Sequence, residues 1–395
     1  MLPYKITAMK ANKLILFITL FSGTAVMGQH SKSWHTDPDW ILSKYDAWGG
    51  PGVSSAPGPM DTVLLKDYAP RSSVISQTTF IPKARFAAID AHTHVVARNE
   101  NEITEWVKTM DEVGIQTSVI LTNAIGKEFE LLATLYLKQH PGRFILYCGM
   151  DTTNAGSRDY PERVVAELAR CYKIGARGVG EWTDKGLGFT TDSTLDPEKR
   201  LHPNDPRLYG FWEKCAALKM PVSFHISDHP SNWTPLDVYQ ERTPDYQHFN
   251  KYKKDGLSYE DLLAVRDQTI QQHPKTIFLV CHLANEGNDL TRLGKLLDTY
   301  PNMYLDISAR DYEVGRTPRA GLKFLTKYSK RVLFGTDMGR EKRMYRAWWR
   351  LLESDDEFIV GRMWWRYYGL KLPETVLKDL YRDNALRMLH IKNSY

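Results

Sequence analysis

Cysteine is scarce in this chain: only four occur among 395 residues, and no two form a closely spaced pair. A structural zinc site built from paired cysteines is therefore excluded. Cys148 and Cys281 lie within apolar runs that we interpret as core strands, whereas Cys171 and Cys215 lie on predicted helices. We expect buried free thiols, so that any metal must be held by histidines and carboxylates.

An excess of charge of one sign is also lacking. The formal net charge is +5, and three of the positive charges, on Lys5, Lys10 and Lys13, lie in an N-terminal segment that we predict to be removed. Subtracting these three leaves a net charge of about +2, which is too small to suggest nucleic-acid binding. The composition therefore favours a small-molecule partner over a nucleic acid.

Long hydrophobic runs are absent apart from one stretch near the N-terminus. Residues 1–28 carry basic residues, then the apolar run Leu14–Phe21, then small residues ending at Gly28, an order typical of a secretory signal. A membrane span needs about 20 apolar residues, and this run is shorter and interrupted. We expect a signal peptide over 1–28, a mature chain beginning at Gln29, export to the periplasm or the outside medium, and no stable membrane span after cleavage.

Periodic hydrophobic patterning is missing from the next segment, 29–81, which is rich in Gly, Pro, Ser and Trp. We interpret it as an extended lead-in that wraps the domain. From residue 82 to 395 the pattern changes to short apolar runs that alternate with amphipathic stretches. This alternation indicates parallel strands joined by helical crossovers.

Eight such apolar runs occur: Phe86–Asp90, Thr117–Leu121, Phe144–Cys148, Ala176–Gly180, Val222–Phe224, Ile277–Cys281, Met303–Ile307 and Val332–Phe334. The helical stretches between them are Ile103–Val113, Glu128–Gln139, Glu162–Tyr172, Pro206–Leu218, Ser258–Gln272, Leu290–Thr299 and Arg319–Tyr328. Eight strand–helix units predict an α/β (β/α)8 TIM barrel. A doubly wound sheet is the alternative, but it should carry a Gly-rich turn where this chain has His-Thr-His.

Polar residues that can bind metal follow the strands. His92 and His94 end the first run, and alternate residues of a strand face the same way, so both imidazoles can point into the barrel mouth. Four other runs also end on potential ligands, namely Glu181, His225, His282 and Asp337. Each alone could be a hydrogen-bonded histidine or a salt-bridged carboxylate. Together they need a shared partner beside buried strands, and a divalent cation supplies it.

This order of ligands resembles the amidohydrolase superfamily, and the surrounding sequence resembles its amidohydrolase-related (amidohydrolase 2) branch. The resemblance covers about Pro82 to Ile391, including the final helix Leu380–Leu389. It implies a metal-dependent enzyme, with zinc as the expected ion and manganese as the alternative. Glu181 resembles the fourth-strand glutamate that bridges two metals in TatD-like nucleases, and a hydrogen bond from Glu181 to a ligating imidazole is an equal alternative. One ion or two therefore stays open.

The resemblance also implies a mechanism. His92, His94 and His225 would hold a zinc-like ion and lower the pKa of a bound water, and Asp337 would take up its proton. His282 would bind a second metal or polarise the substrate carbonyl, and we favour polarisation if the site is mononuclear. We expect hydrolysis of an ester, lactone or amide. The alternative is a lyase, either a decarboxylase or a dehydratase, acting on an acidic or unsaturated uronic-acid-type sugar, because the branch contains both chemistries.

Substrate contacts are predicted on the insertions Thr183–Asn204 and Ser227–Leu257 and after the seventh strand. Arg310 could clamp a carboxylate, with Lys185 and His229 assisting, and Trp182 could lie against a ring. These residues favour an anionic sugar or another carboxylate as substrate. A homo-oligomer is compatible with the sequence.

Overall fold

The computed structural model describes residues 58–189, 194–237, 240–242 and 247–391. The chain divides after Arg71 into two units, Met1–Arg71 and Ser72–Tyr395. In the first unit the described residues contain one short 3-10 helix, Leu65–Asp67. The predicted signal peptide 1–28 and residues 29–57 of the predicted lead-in lie outside the described residues, so these two assignments stay predictions.

The second unit is built on one parallel sheet of eight strands in sequential order. The strands are β1 Ala88–His94, β2 Ile115–Leu121, β3 Phe144–Cys148, β4 Ala176–Asp184, β5 Val222–Ile226, β6 Phe278–Val280, β7 Met303–Asp306 and β8 Val332–Leu333. The backbone N–H of Ala91 donates to the carbonyl oxygen of Phe334 at 2.9 Å, which joins the two ends of the sheet into a nearly closed barrel. The predicted TIM-barrel fold is confirmed.

Helices cover the outside of the barrel. They are α1 Glu100–Val113, α2 Gly126–Leu137, α3 Tyr160–Ile174, α4 Tyr209–Ala217, α5 Tyr259–Gln272, α6 Leu290–Thr299, α7 Asp311–Val314, α8 Pro318–Lys327, α9 Lys342–Glu353, α10 Glu374–Lys378 and α11 Asn384–Met388. Helix α9 was not predicted from the sequence. The two-stranded antiparallel ribbon of β9 Ile359–Val360 and β10 Arg366–Tyr367 was not predicted either.

Local sequence fixes where the helices begin and end. The Asn99 side chain accepts a hydrogen bond from the backbone N–H of Glu102 at 3.0 Å, which caps the start of α1. Gly114 follows α1 with φ 88°, a left-handed conformation that glycine adopts without steric cost. Ser258 caps α5 in the same way, accepting from the N–H of Asp261 at 3.2 Å. These ends set the lengths of the crossovers and so the positions of the strands.

The core has an inner and an outer part. Inside the barrel, apolar side chains of alternate strand residues form one cluster that includes Ile89, Val119 and Leu279. A larger cluster lies between the strands and the helices. The four cysteines are buried and free, as predicted. Among the described residues, no helix combines the length and the apolar character that crossing a membrane requires.

The compact unit begins somewhat earlier than the predicted residue 82. Its first residue is Ser72. Thr79 ties this early segment to the barrel, because its backbone N–H and its hydroxyl both donate to the carboxylate of Asp356, at 2.7 and 2.6 Å. The end of the predicted lead-in therefore belongs structurally to the barrel unit.

Candidate metal centre

The six predicted ligands meet at the carboxyl ends of the barrel strands. They form two groups of three, and within each group the possible ligand atoms all lie within 4.8 Å of one another. One group is His92, His94 and Asp337, and the other is Glu181, His225 and His282. His225 therefore groups with His282, rather than with His92 and His94 as we expected for a single ion.

The first group lies where β1 meets the loop after β8. Oδ1 of Asp337 is 2.9 Å from Nε2 of His94 and 3.5 Å from Nε2 of His92. The two imidazoles lie two residues apart on β1 and have ring centroids 5.4 Å apart. Two nitrogens and one carboxylate oxygen thus face a common point.

The second group surrounds the carboxylate of Glu181, near the end of β4. Oε1 of Glu181 is 2.7 Å from Nδ1 of His225 and 3.2 Å from Nε2 of His282. The same oxygen is 3.4 Å from Nε2 of His92, and Oε2 is 3.7 Å from Nε2 of His94. The carboxylate of Glu181 therefore lies between the two groups and reaches both.

Asp306, at the end of β7, fixes the protonation of His92. Its Oδ2 is 2.9 Å from Nδ1 of His92, and an ionised carboxylate only accepts hydrogen bonds, so Nδ1 carries the proton. In the neutral ring, Nε2 of His92 then carries the lone pair, which faces Glu181 and Asp337. This nitrogen is buried and has no hydrogen-bond partner among the described residues, as expected for an atom aimed at a cation.

His282 is oriented in a similar way. Its Nδ1 lies 2.9 Å from the carbonyl oxygen of Ser308, which can only accept, so Nδ1 donates and Nε2 carries the lone pair towards Glu181. The backbone N–H of His282 also donates to Oδ1 of Asp306 at 2.8 Å. Partners of this kind fix the orientation of ligating imidazoles in metal sites.

His225 contacts a second carboxylate on its other edge. Its Nε2 lies 3.5 Å from Oδ1 of Asp228. The same Asp228 oxygen forms an ion pair with Nζ of Lys185 at 2.9 Å. Lys185 therefore acts on the site through Asp228, a contact that the sequence analysis did not predict.

The ionised carboxylates of the cluster need positive charge to balance them. Burial opposes protonation of His92, but the charges of Asp306 and Glu181 outweigh it and raise the pKa of His92 well above its usual value. Burial alone would raise the pKa of Glu181, yet His225 and His92 hold it well below its usual value. The carboxylates are thus ionised, and either protons on the imidazoles or a divalent cation balance them.

Two of the six residues have left-handed backbone conformations. His282 has φ 60° and Asp337 has φ 66°. Such conformations cost non-glycine residues on the order of 1–3 kcal/mol and cluster at functional sites. Both residues lie in the segments that follow strands, His282 after β6 and Asp337 after β8.

The residues predicted to contact substrate lie in different surroundings. Arg310 is buried, and its guanidinium donates to Oδ1 of Asn285. His229 lies beside Glu313, with Nε2 3.6 Å from Oε1. Trp182 is only 4% exposed, and its ring contacts Trp212 at a centroid distance of 4.8 Å. The predicted contact of Trp182 with substrate is therefore wrong: its neighbour Glu181 faces the cluster, so Trp182 points from β4 to the opposite side, into the helix layer.

Three residues of the site were missed from the sequence: Asp228, Asp306 and Glu313. Asp306 lies inside an apolar run, in Leu305-Asp-Ile307, and a carboxylate in a buried strand is a usable signal. Asp228 and Glu313 follow strands in segments rich in charged residues. Their roles depend on distances that the sequence does not contain.

The residues and their donor atoms form a candidate metal centre of histidines and carboxylates in a TIM barrel. The family model described as Amidohydrolase matches residues 89–391, and the chain belongs to the amidohydrolase family. This family consists of enzymes that act on small molecules and typically depend on a metal. No curated protein matches the chain.

Several solved structures are similar to this chain. An uncharacterized TIM-barrel protein of Bordetella bronchiseptica is 15% identical, with 77% of this chain and 98% of that chain covered and a TM-score of 0.47. Amidohydrolase 2 of Bifidobacterium longum subsp. infantis is 14% identical, with coverage of 78% and 100% and a TM-score of 0.43. A 5-carboxyvanillate decarboxylase of Sphingomonas paucimobilis is 12% identical, with coverage of 78% and 100% and a TM-score of 0.46.

Proposed function

We propose that this protein is a metal-dependent hydrolase that cleaves an ester, lactone or amide in a small acidic molecule derived from a carbohydrate. The observation that carries the proposal is the pair of ligand groups that share the carboxylate of Glu181. The proposal is supported by membership of the amidohydrolase family. It is also supported by the ionised Asp337 at the edge of the cluster.

Two divalent cations fit these residues. The donor atoms are imidazole nitrogens and carboxylate oxygens, which suit zinc, with manganese as the second candidate. One cation would be held by His92, His94 and Asp337, the other by His225 and His282, and Glu181 would be shared. When bound, such cations polarise a carbonyl and lower the pKa of water, towards about 7 for zinc.

Asp337 is the proton carrier in this proposal. Burial would raise its pKa, but the neighbouring imidazoles of His92 and His94 outweigh burial and hold the pKa far below its usual value. Its side chain is 31% exposed, the most open carboxylate of the cluster. The ionised carboxylate can therefore accept the proton of the attacking water and return it to the leaving group.

His282 is assigned as a ligand instead of a group that polarises the carbonyl. In the neutral ring its only proton is on Nδ1, engaged with Ser308, so Nε2 has no hydrogen to offer a substrate oxygen. Burial and the neighbouring His225 lower the pKa of His282, which disfavours a second proton. This assignment replaces the polarising role that the sequence favoured for a mononuclear site.

The reaction class is tested by isotope transfer. The metal-loaded protein is incubated in ¹⁸O-water with lactones, esters and unsaturated uronic acids, and products are analysed by mass spectrometry. We expect a lactone to give a hydroxy acid heavier than the lactone by one labelled water, and an ester to give an acid that carries the label and an unlabelled alcohol. A product lighter by carbon dioxide or by water would overturn hydrolysis and establish the lyase alternative.

We also propose that the mature chain is exported. The support is the order of basic, apolar and small residues in the first 28 positions. N-terminal sequencing of protein from the cell envelope and the medium tests it. The expected first residue is Gln29, and recovery of chains that keep Met1 from the cytoplasm would contradict export.

A further inference from the structure

A buried carboxylate outside the ligand cluster has no hydrogen bond. Glu313, on α7, has a side chain only 7% exposed, and neither of its oxygens has a hydrogen-bond partner in the described part of the chain. Gly287 permits this position, because a Cβ at residue 287 would lie 1.8 Å from Oε2 of Glu313. Burying a carboxylate without hydrogen bonds is costly, so such a group calls for a functional explanation.

Two hydrogen-bond donors face this carboxylate just beyond bonding distance. Nε2 of His229 lies 3.6 Å from Oε1, and Nε of Arg310 lies 3.7 Å from Oε2. The backbone N–H of Ser231 donates to Nδ1 of His229 at 3.2 Å, so the proton of the neutral ring is on Nε2 and faces Glu313. Both distances are longer than a direct hydrogen bond, and an oxygen atom beside such a pair of groups can bond to both members of the pair.

The three groups lie beside the metal centre. His229 follows the ligand His225 on the segment after β5, and Arg310 follows Ser308, which accepts from the ligand His282. Asn285 joins these segments, because its amide donates to the carbonyl oxygen of Ser227 at 2.9 Å and its Oδ1 accepts from Arg310. A substrate with its carbonyl at the metal centre could therefore extend to His229, Arg310 and Glu313.

The donor and acceptor pattern selects the chemical group that fits. A hydroxyl can donate to Glu313 while accepting from His229 and Arg310, which uses all three groups at once. A carboxylate would face the negative charge of Glu313, and an apolar group would leave the carboxylate of Glu313 without a hydrogen bond.

We propose that His229, Arg310 and Glu313 form a subsite that binds a hydroxyl group of a polyhydroxylated substrate. This inference rests on the proposed function and deepens it, because it narrows the substrate class to sugar-derived lactones or esters. These would carry a hydroxyl close to the reacting carbonyl. Sites built to bond a buried hydroxyl reject analogues that lack it far more strongly than apolar pockets reject small differences.

The kinetic test compares an aldonolactone with the unsubstituted lactone of the same ring size. For the metal-loaded wild-type protein we expect kcat/KM to favour the aldonolactone by about a hundredfold or more. Glu313→Met removes the acceptor at similar size and should reduce this ratio about tenfold or more. Glu128→Met, a matched change at an exposed position of α2, should leave the ratio unchanged. His229→Gln should also reduce the ratio, which keeps the test valid if Glu313→Met does not fold.

A binding measurement separates this inference from the proposed function. Calorimetry compares an aldonate with the alkanoate of the same chain length, on the same metal-loaded proteins. We expect tighter binding of the aldonate in wild type, and loss of the preference in Glu313→Met. Absence of lactone turnover together with this binding pattern would reject hydrolysis and keep the subsite. Equal binding of the two acids, a preference that survives in both variants, or tighter binding of an unhydroxylated dicarboxylate would overturn the subsite.

Discussion

Asp306→Asn should switch the tautomer of a metal ligand without changing the shape of the site. Oδ1 of Asp306 accepts from the backbone N–H groups of His282 and Ser308, at 2.8 and 3.1 Å, and Oδ2 accepts from Nδ1 of His92 at 2.9 Å. In the variant the amide oxygen would keep the two backbone donors, which places the amide N–H opposite Nδ1 of His92. Two donors cannot face each other, so the His92 proton should move to Nε2.

The size of the effect follows from the contacts. A proton on Nε2 removes the lone pair that His92 offers to a cation. Changes in the partners of ligating histidines typically lower metal affinity about 10- to 100-fold, which equals about 1.4 to 2.7 kcal/mol. Hydrogen bonds to charged groups contribute about 1.5–3 kcal/mol, and the two ranges agree. We therefore expect a loss of affinity between these limits in Asp306→Asn.

The assay is competition for zinc with a chromophoric chelator, with NMR of labelled histidine to identify the tautomer. Asp111→Asn is the matched control, because Asp111 has a side chain 64% exposed and pairs with Arg143 on the surface. The control should bind zinc as wild type does. A folded Asp306→Asn variant that binds zinc within threefold of wild type would refute the assigned orientation of His92.

Three further variants test other parts of the account. Asp337→Asn should lower turnover by about 10²- to 10⁴-fold while keeping most of the metal. A chelator should abolish turnover in the wild type. Full activity in the variant would reject the role of Asp337 as proton carrier. Glu181→Gln should lower the metal content from two ions per chain towards one by elemental analysis, and an unchanged content would show that Glu181 is not shared. Arg170 holds the pKa of Glu167 at about 2, so the ion pair stabilises the fold above the ordinary pKa of 4.5 and this stability is lost as pH falls towards 2. Glu167→Gln should therefore lower the free energy of unfolding at pH 7 by about 1 kcal/mol, given the partial exposure of the pair. Denaturation curves measure this difference between variant and wild type. A difference that does not shrink from pH 4.5 to 2 would contradict the role of the ion pair.

The barrel was predictable because apolar runs and amphipathic stretches alternate regularly. The clustering of the candidate ligands was predictable because the strands of a barrel deliver their ends to one place, so histidines and carboxylates at those ends lie close together. The division into two groups was not predictable, since it depends on distances such as that between His225 and Glu181. These distances are set by the register between neighbouring strands, which short apolar runs do not specify.

One misassigned residue, Trp182, and one missed residue, Asp306, carried sequence signals that were not used. Trp182 follows Glu181 on the same strand, and period-two alternation already places their side chains on opposite faces. Asp306 lies within an apolar run, whereas the predicted ligands come after apolar runs. A carboxylate in either position is a signal that the sequence alone provides. The subsite residue Glu313 carries no such signal, because its burial results from the fold of the segment after β7.

The central claim is the two-ion centre, and anomalous diffraction from crystals grown with zinc or manganese tests it most directly. We expect two peaks that share Glu181. One should lie about 2.1 Å from the Nε2 atoms of His92 and His94, and the other at a similar distance from Nδ1 of His225 and Nε2 of His282. A single peak bound by His92, His94 and His225, or peaks away from these residues, would contradict it.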